Sequence, residues 1–435
     1  MKTFKIKSKR LRRFLRVLLT LFTLWFLWSI YYFTTWTKFP EAATYPMNQG
    51  VSDTVYAAPI QQATAHLKGI SKRLNVPSFS VAVGHQGKLI WSASEGFATV
   101  ETGKAATPLT QYRMGSTSKA ITATGVARLV DRGQLDLEAI IGDSITNWDR
   151  KEWDFSMKQL LSHTAGVGNY EDFGLHSAQF TLCNCNQFES AAEGITVFNR
   201  YDLLYEPGTR FQYSSFDVNL ASVVLEQAAD RPFLDYMQAM VFDPLQMQHT
   251  YADHSRPKSE HFATFYQTED DYYREYRTMG IKHDVNLSYK WAGGGFISTP
   301  TDLVKMGNAY LGDPSFLSAS TKQEFWTPVR LENGNINEQE YALGWRSWPT
   351  YENELLLDGE TPIWMVHHGG VSKGSMNFLV LFPNYGLVID ASINSRAATF
   401  GEFAAEVRQL ADFFLRAVPK EEWERYSAIQ EVVSH

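Results

Sequence analysis

The spacing of apolar positions divides the chain into segments of different period. Val17 to Phe33 carry no charge and are rich in Leu, Phe, Trp, Ile and Tyr. With Thr34, Thr35 and Trp36 the run reaches about 20 residues, the length that crosses a hydrocarbon core. Residues 37–58 are polar, contain Pro40 and Pro46, and show no period, which predicts a linker. From Ile60 to Leu74 apolar residues recur at helical spacing and stop before Asn75 and Pro77. Phe79 to Val83 and Lys88 to Ala93 alternate instead, and His85-Gln86-Gly87 between them predicts a hairpin. After Lys119, residues Ala120, Ile121, Ala123, Gly125, Val126, Ala127, Leu129 and Val130 make a helix that is small or apolar on nearly every side, with Gly133 as its stop. Such a helix belongs in an interior. Met157 to Ser162, Phe216 to Ala229 and Phe233 to Val241 also read as helices, within a mostly helical insertion over about 141–290. Strand pattern returns in Met376 to Phe382 and Leu387 to Ile393, joined by Pro383-Asn384-Tyr385-Gly386, and an amphipathic helix near Phe403 to Val418 closes the domain.

This order predicts an α/β fold of the α+β type, in which both ends of residues 59–418 build one antiparallel sheet flanked by helices. The helical subdomain sits beside it. Residues 419–435 are charged and read as a peripheral tail.

Charge changes the picture only at the start. The net charge of −7 over 435 residues offers no basic field for nucleic acid. Residues 1–16 are the exception, with Lys2, Lys5, Lys7, Lys9, Arg10, Arg12, Arg13 and Arg16 ahead of the apolar run. A basic flank stays cytoplasmic, so residues 17–36 read as a single-pass signal anchor in the lipid bilayer with the domain on the extracytoplasmic side. A cleaved signal peptide is the competing reading, and either one exports the domain. The two cysteines, Cys183 and Cys185, could form a strained bond or remain free thiols. They do not match zinc spacing, and His249, His254 and His261 lack the HExxH arrangement, so no metal is expected.

Three stations carry candidate chemistry. Ser116 and Lys119 lie one helical turn apart at the mouth of the apolar helix, where a lysine in a dry pocket can take a hydroxyl proton. Tyr213-Ser214-Ser215 follows Glu206-Pro207-Gly208-Thr209 and opens a helix; a tyrosine there can reach a cleft, and beside a lysine its phenolate is favoured. His367-His368-Gly369-Gly370-Val371 precedes the late hairpin, with Gly374 beyond. Its glycines let a substrate backbone lie along a strand edge, and a free N–H after them can face a developing oxyanion. Phe265, Tyr266, Glu269, Asp270, Asp271, Tyr272 and Tyr273 fit either a cleft lining or a solvated loop.

Together these residues resemble the serine β-lactamase-like family of class C β-lactamases, penicillin-binding D-alanyl-D-alanine carboxypeptidases and related esterases. Supporting marks are the run Lys158 to Gly166 (KQLLSHTAG), Glu206-Pro207-Gly208, Asp243-Pro244-Leu245, Ala292-Gly293-Gly294-Gly295 and Leu343-Gly344-Trp345. The resemblance spans roughly Ile60 to Val418 and implies a β-lactamase/transpeptidase-like fold and an acyl-enzyme mechanism without cofactor or metal. It implies that Ser116 is the acylated nucleophile, Lys119 its proton partner and Tyr213 the base. The N–H groups of Ser116 and Val371 would form the oxyanion hole, and Ser215, His368, Gly369 and Gly370 would bind substrate. Two departures stand out. Ser215 replaces the asparagine of Tyr-x-Asn and cannot offer its amide to a substrate. His368 replaces the lysine of KTG and is only partly charged near neutral pH, weakening its grip on a carboxylate. Both argue against an efficient β-lactamase. The implied partner is a small amide, peptide or ester substrate; a weakly active or inactive binding or assembly module at the membrane is the alternative. Oligomeric state is left open.

Overall fold

Strands from the two ends of the chain meet in one antiparallel sheet. The computed structural model describes residues 9–41, 44–142, 145–174, 187–253, 259–276, 285–348 and 363–418. Cys183, Cys185, His254 and the tail from 419 lie outside these residues, so the readings made of them stand where the sequence left them. In chain order the strands are β1 (Thr37–Lys38), β2 (Met47–Ser52), β3 (Ser78–His85), β4 (Lys88–Thr99), β5 (Lys104–Ala105), β6 (Tyr112–Arg113), β7 (Tyr251–Ala252), β8 (Tyr266–Glu269), β9 (Tyr272–Glu275), β10 (Phe296–Ser298), β11 (Arg346–Trp348), β12 (Met365–Ser372), β13 (Ser375–Phe382) and β14 (Leu387–Ile393). The main sheet runs β11-β12-β13-β14-β3-β4-β2, with β5 paired to β4. Its closing seam is β14 on β3, in register from Leu387 opposite His85 to Ile393 opposite Phe79. The expected α+β architecture is the one observed.

Both faces of this sheet are covered, so β3, β13 and β14 are buried at every position. Successive side chains alternate between two cores. Phe79, Val81, Val83, Phe378, Val380 and Ile389 pack with helices α2 (Ala57–Leu67) and α12 (Phe400–Leu415). Ala82, Leu379, Leu381 and Val388 face the larger core, with α4 (Ser118–Asp131) and α10 (Pro300–Gly312). Along α12 the buried Phe403, Val407, Leu410 and Phe414 recur at three- and four-residue spacing, while Thr399 caps its first turn by accepting from the Glu402 N–H at 3.1 Å. Beside the sheet stand α5 (Met157–Leu161), α6 (Ala191–Gly194), α7 (Ser215–Ala229), α8 (Phe233–Met237), α9 (Trp291–Gly294) and α11 (Ala319–Trp326). The expected α4 is as apolar as its sequence: eleven of its fourteen residues are buried.

Several expectations are corrected. The linker over 37–58 is part of the fold: β2 pairs with β4, Thr37–Lys38 pairs with β9, and α2 already starts at Ala57. An edge strand exposed along its length needs no alternation, so Asn48, Gln49 and Gly50 hid it. The helix expected from Ile60 to Leu74 breaks at Gly69, whose φ of 91° only glycine adopts freely. There α3 (Ile70–Arg73) begins, and the buried Glu95 carboxylate accepts from the N–H groups of Gly69 and Ser71. The helix over Phe233 to Val241 is shorter, α8 passing into a π turn at Gln238–Phe242. The stretch Phe265 to Tyr273 forms the hairpin β8–β9, whose Tyr266 and Tyr273 pack on Phe39, Phe97 and Val100 as a satellite core. Among the described residues one apolar helix, α1 (Lys9–Thr34), is long enough to cross a membrane, and none of it is buried.

Candidate active site

The site forms where β12 crosses the entrance of α4. Met114 leads from β6 into a 3₁₀ turn, Gly115–Thr117, and this turn runs directly into α4. Gly115 has a φ of 54°, and a Cβ there would lie 2.7 Å from the backbone of Val371. At Gly370 a Cβ would lie 1.8 Å from the Met114 carbonyl oxygen. Two glycines therefore let two backbones touch, setting the Ser116 turn against the Gly370–Val371 stretch of β12. The Thr117 hydroxyl pins the junction by donating to the His368 carbonyl at 3.2 Å.

Behind this seam, Lys119 is fully buried. Its Nζ lies 3.3 Å from Ser116 Oγ, 3.1 Å from Ser215 Oγ and 2.7 Å from the Gly293 carbonyl oxygen. The third contact exists because α9 packs on both α4 and α7. A Cβ at Gly293 would meet the Ser215 carbonyl oxygen at 2.4 Å. Burial, with help from Arg346, lowers the Lys119 pKa well below the ordinary lysine range, and Asp217 opposes the shift. Tyr213 presents its ring to the Lys119 Nζ at 4.7 Å, and its phenol interacts with Ser116. Ser116 itself is half-buried, so the hydroxyl is reachable from the cleft.

The structure thus brings Ser116, Lys119, Tyr213, Ser215, Gly370 and Val371 together. It also revises what some of them do. Burial pushes the Tyr213 phenol up, against Arg346 and the Ser116 hydrogen bond, so the ring is a neutral hydroxyl near pH 7 rather than the phenolate expected. Ser215 is buried on the Lys119 side instead of lining the cleft as a substrate-binding group. His368 is also fully buried; desolvation, Arg346 and Lys119 hold it well below the usual imidazole range, so it is neutral and not a partly charged carboxylate ligand. Its Nε2 meets the Tyr341 hydroxyl at 2.9 Å, and its Nδ1 meets the Gly369 carbonyl at 2.8 Å. Strand alternation sends His367 to the opposite face, between Trp348 and Phe378 with ring centroids 4.1 and 5.4 Å away. Gly369 serves packing rather than substrate: a Cβ there would meet the Phe400 ring at 2.3 Å.

Other side chains complete the site without having been singled out in the sequence. His163, in the run Lys158 to Gly166, is fully buried and bonds Asp217 at 3.0 Å. Its ring lies 4.5 Å from Tyr213 and 4.6 Å from Tyr341, forming an aromatic wall that holds Tyr213. His163 has a φ of 61°, which marks a turn built for placement. Arg346, opposite His367 on β11, sets its guanidinium 5.4 Å from the Tyr213 ring. Among the described residues no group of three metal-ligating side chains gathers.

Comparisons with known proteins bear on the fold and the family. The Beta-lactamase family model matches residues 63–412. The serine beta-lactamase-like protein LACTB, mitochondrial, of Homo sapiens is 27% identical over 367 residues, covering 67% of this chain and 66% of that protein. The chain thus spans just under two thirds of that relative's length. Protein flp of Staphylococcus aureus strain MW2 is 24% identical, over 74% of this chain and 60% of its own. Among solved structures, the beta-lactamase/D-alanine carboxypeptidase from Pseudomonas syringae aligns with a TM-score of 0.63 at 20% identity, over 83% of this chain and 100% of that one. The D-stereospecific amidohydrolase from Streptomyces sp. aligns with a TM-score of 0.62 at 19% identity, over 79% of this chain and 98% of that one. These likenesses carry the fold, and the family match extends over most of the sheet-and-helix domain. This chain belongs to the beta-lactamase family.

Proposed function

We propose that this protein is a membrane-anchored serine hydrolase that works through an acyl-enzyme on a small amide, peptide or ester. Residues 17–36 cross the bilayer, the N-terminus is cytoplasmic and the domain lies outside. The observation that carries the reading is a fully buried Lys119 amine 3.3 Å from Ser116 Oγ. A neutral lysine has two N–H donors and one lone pair. In the structure Nζ donates to the Gly293 carbonyl and to the Ser215 and Ser116 hydroxyls; once the lysine has lost a proton, its lone pair takes the place of one N–H and can accept from Ser116. Burial and the nearby Arg346 lower the Lys119 pKa and so favour this neutral form.

In the proposed reaction Ser116 Oγ bonds to the substrate carbonyl carbon while its proton passes to Lys119 Nζ. The carbonyl π pair becomes an oxyanion received by the N–H groups of Ser116 and Val371; losing one such donor costs about 3 kcal/mol of transition-state stabilisation. Tyr213 passes the proton from Lys119 to the leaving group as the carbon–leaving-group bond breaks. Water then adds to the acyl-enzyme by the same route, releasing the acid and restoring Ser116. A fluorophosphonate probe tests this on the folded protein. Stoichiometric labelling that disappears in Ser116→Ala is expected; absence of labelling on folded wild-type protein overturns the reading. Nitrocefin, p-nitrophenyl esters and D-alanyl peptides then sort the substrates.

A further inference from the structure

We infer that the hairpin β8–β9 is a membrane-docking element, which seats the catalytic domain on the phospholipid headgroup layer in one fixed orientation. The inference rests on the reading of residues 17–36 as a bilayer span and adds to it the surface of the domain that meets the lipid.

The chain leaves no slack between span and domain. α1 ends at Thr34, the Thr35 N–H still donates to the Tyr31 carbonyl at 3.2 Å, and β1 begins at Thr37. There Thr37 stands opposite Tyr273 and Lys38 opposite Tyr272, and the Phe39 N–H donates to the Asp271 carbonyl at 2.9 Å. Paired strands lie about 5 Å apart, so β9 shares the depth of the end of α1. A loose tether would need residues free of such bonds.

Side chains close the same joint. Tyr32 donates its hydroxyl to the Glu269 carboxylate at 2.9 Å, and Arg274 lays its guanidinium over the rings of Tyr32, 5.0 Å away, and Trp36, 4.6 Å away. Both rings are partly covered, whereas Tyr31 and Phe33 beside them are exposed. Tyrosine and tryptophan at the end of a span mark the headgroup level, where a guanidinium pairs with lipid phosphate. Tyr272, 46% exposed, brings an amphipathic ring to that level. The hairpin is in turn fixed to the domain: Asp271 pairs with Lys72 of α3 at 2.6 Å, and the Tyr266 N–H donates to the Asn394 carbonyl at 2.9 Å. The orientation extends toward the site. At Gly374, three residues beyond Val371, a Cβ would lie 2.8 Å from the Cβ of Phe265 and 3.2 Å from that of Tyr276, so the β12–β13 turn abuts the base of the hairpin and is held near the bilayer with it.

The test uses the full chain in phosphatidylcholine vesicles. With Cys183 and Cys185 replaced by serine, a fluorophore is attached through Tyr272→Cys or, as the contrast, Lys88→Cys, and lipids carrying a nitroxide on the headgroup serve as quencher. Lys88 opens the 12-residue β4, about 35 Å from the Thr99 whose hydroxyl meets Thr264 just ahead of the hairpin. Quenching at position 272 is expected to exceed that at 88 by about threefold or more. A Gly-Ser insertion of about 12 residues after Trp36, reaching about 20 Å, combined with Arg274→Gln, removes both the short joint and the guanidinium. That variant should float with the vesicles and keep its Tm, while quenching at 272 falls to the level at 88. Equal quenching at 272 and 88 in the uninterrupted chain, on protein that floats, overturns the inference and leaves the anchor standing. A difference that survives the insertion with Arg274→Gln overturns it as well, since the joint would then not be what sets the orientation. Failure of the uninterrupted chain to float overturns the anchor reading and the inference with it.

Discussion

Replacing Gly370 by alanine should disable the site while sparing most of the fold. The added methyl would stand 1.8 Å from the Met114 carbonyl oxygen and 2.9 Å from both the nitrogen and the Oγ1 of Thr117. Ordinary contact needs roughly 3.5 Å, so β12 and the Ser116 turn have to part by more than an ångström. The obstacle is backbone, which cannot swing aside as a side chain would. The Thr117 hydrogen bond to the His368 carbonyl, now 3.2 Å, would stretch out of range. Overpacking of this kind costs about 1–3 kcal/mol of stability, a few degrees in Tm for a domain this size. A displacement of about 1 Å between nucleophile and oxyanion donors costs on the order of 100-fold in rate. We therefore expect Gly370→Ala to lower kcat/KM for a p-nitrophenyl ester, and the rate of fluorophosphonate labelling, by about two orders of magnitude. Gly401→Ala provides the contrast: its Cβ would meet nothing closer than 3.8 Å within α12, so that variant should keep full labelling and gain slightly in Tm. Wild-type labelling rate and Tm in Gly370→Ala would refute the backbone seam as the element that assembles the site.

Three other outcomes follow from the same geometry. Since Arg346 adds to the lowering of the Lys119 pKa, Arg346→Gln should raise that pKa and move the rising limb of the pH–labelling profile to higher pH; an unmoved limb would separate the two groups. Glu406 is pushed up by burial, yet hydrogen bonds and charge from His66 and Arg73 bring its carboxyl to about 2. Its contribution is therefore present above the unfolded value near 4.3 and lost as pH falls toward 2. Glu406→Gln should cost about 3 kcal/mol at pH 7 by urea unfolding and little at pH 2; an equal cost at both would reject the linkage. A chain beginning at residue 59 loses β2 and bares the edge of β4, so it should aggregate or melt lower than one beginning at residue 37, as scattering and calorimetry would register. Equal behaviour would return 37–58 to the status of a tether.

Much of the fold is legible in the chain because period and burial are local properties. α4 is apolar all round and is buried; α12 is amphipathic and lies on the sheet; the paired runs at Phe79 to Val83 and Leu387 to Ile393 are central strands. Where the reading failed, the local signal was absent. β2 is polar because an edge strand facing water has no need to alternate, and β12 is broken in appearance by His367-His368-Gly369-Gly370. The helix break at Gly69 depends on Glu95, a partner 26 residues away.

The sequence by itself determined which residue types are present for the chemistry: a serine and a lysine one turn apart, a tyrosine at a helix entrance, and a glycine-rich strand. It also determined the apolar N-terminal helix and the sheet's two halves, because these follow from spacing alone. Only the tertiary structure decided their states. Whether Lys119 is charged, Tyr213 ionised, His368 cationic or Ser215 exposed depends on desolvation and on neighbours such as Arg346, Asp217 and Gly293, which lie far away in the chain. Solvation and Coulomb energy are set by distance in space, and no pattern along the backbone encodes that distance.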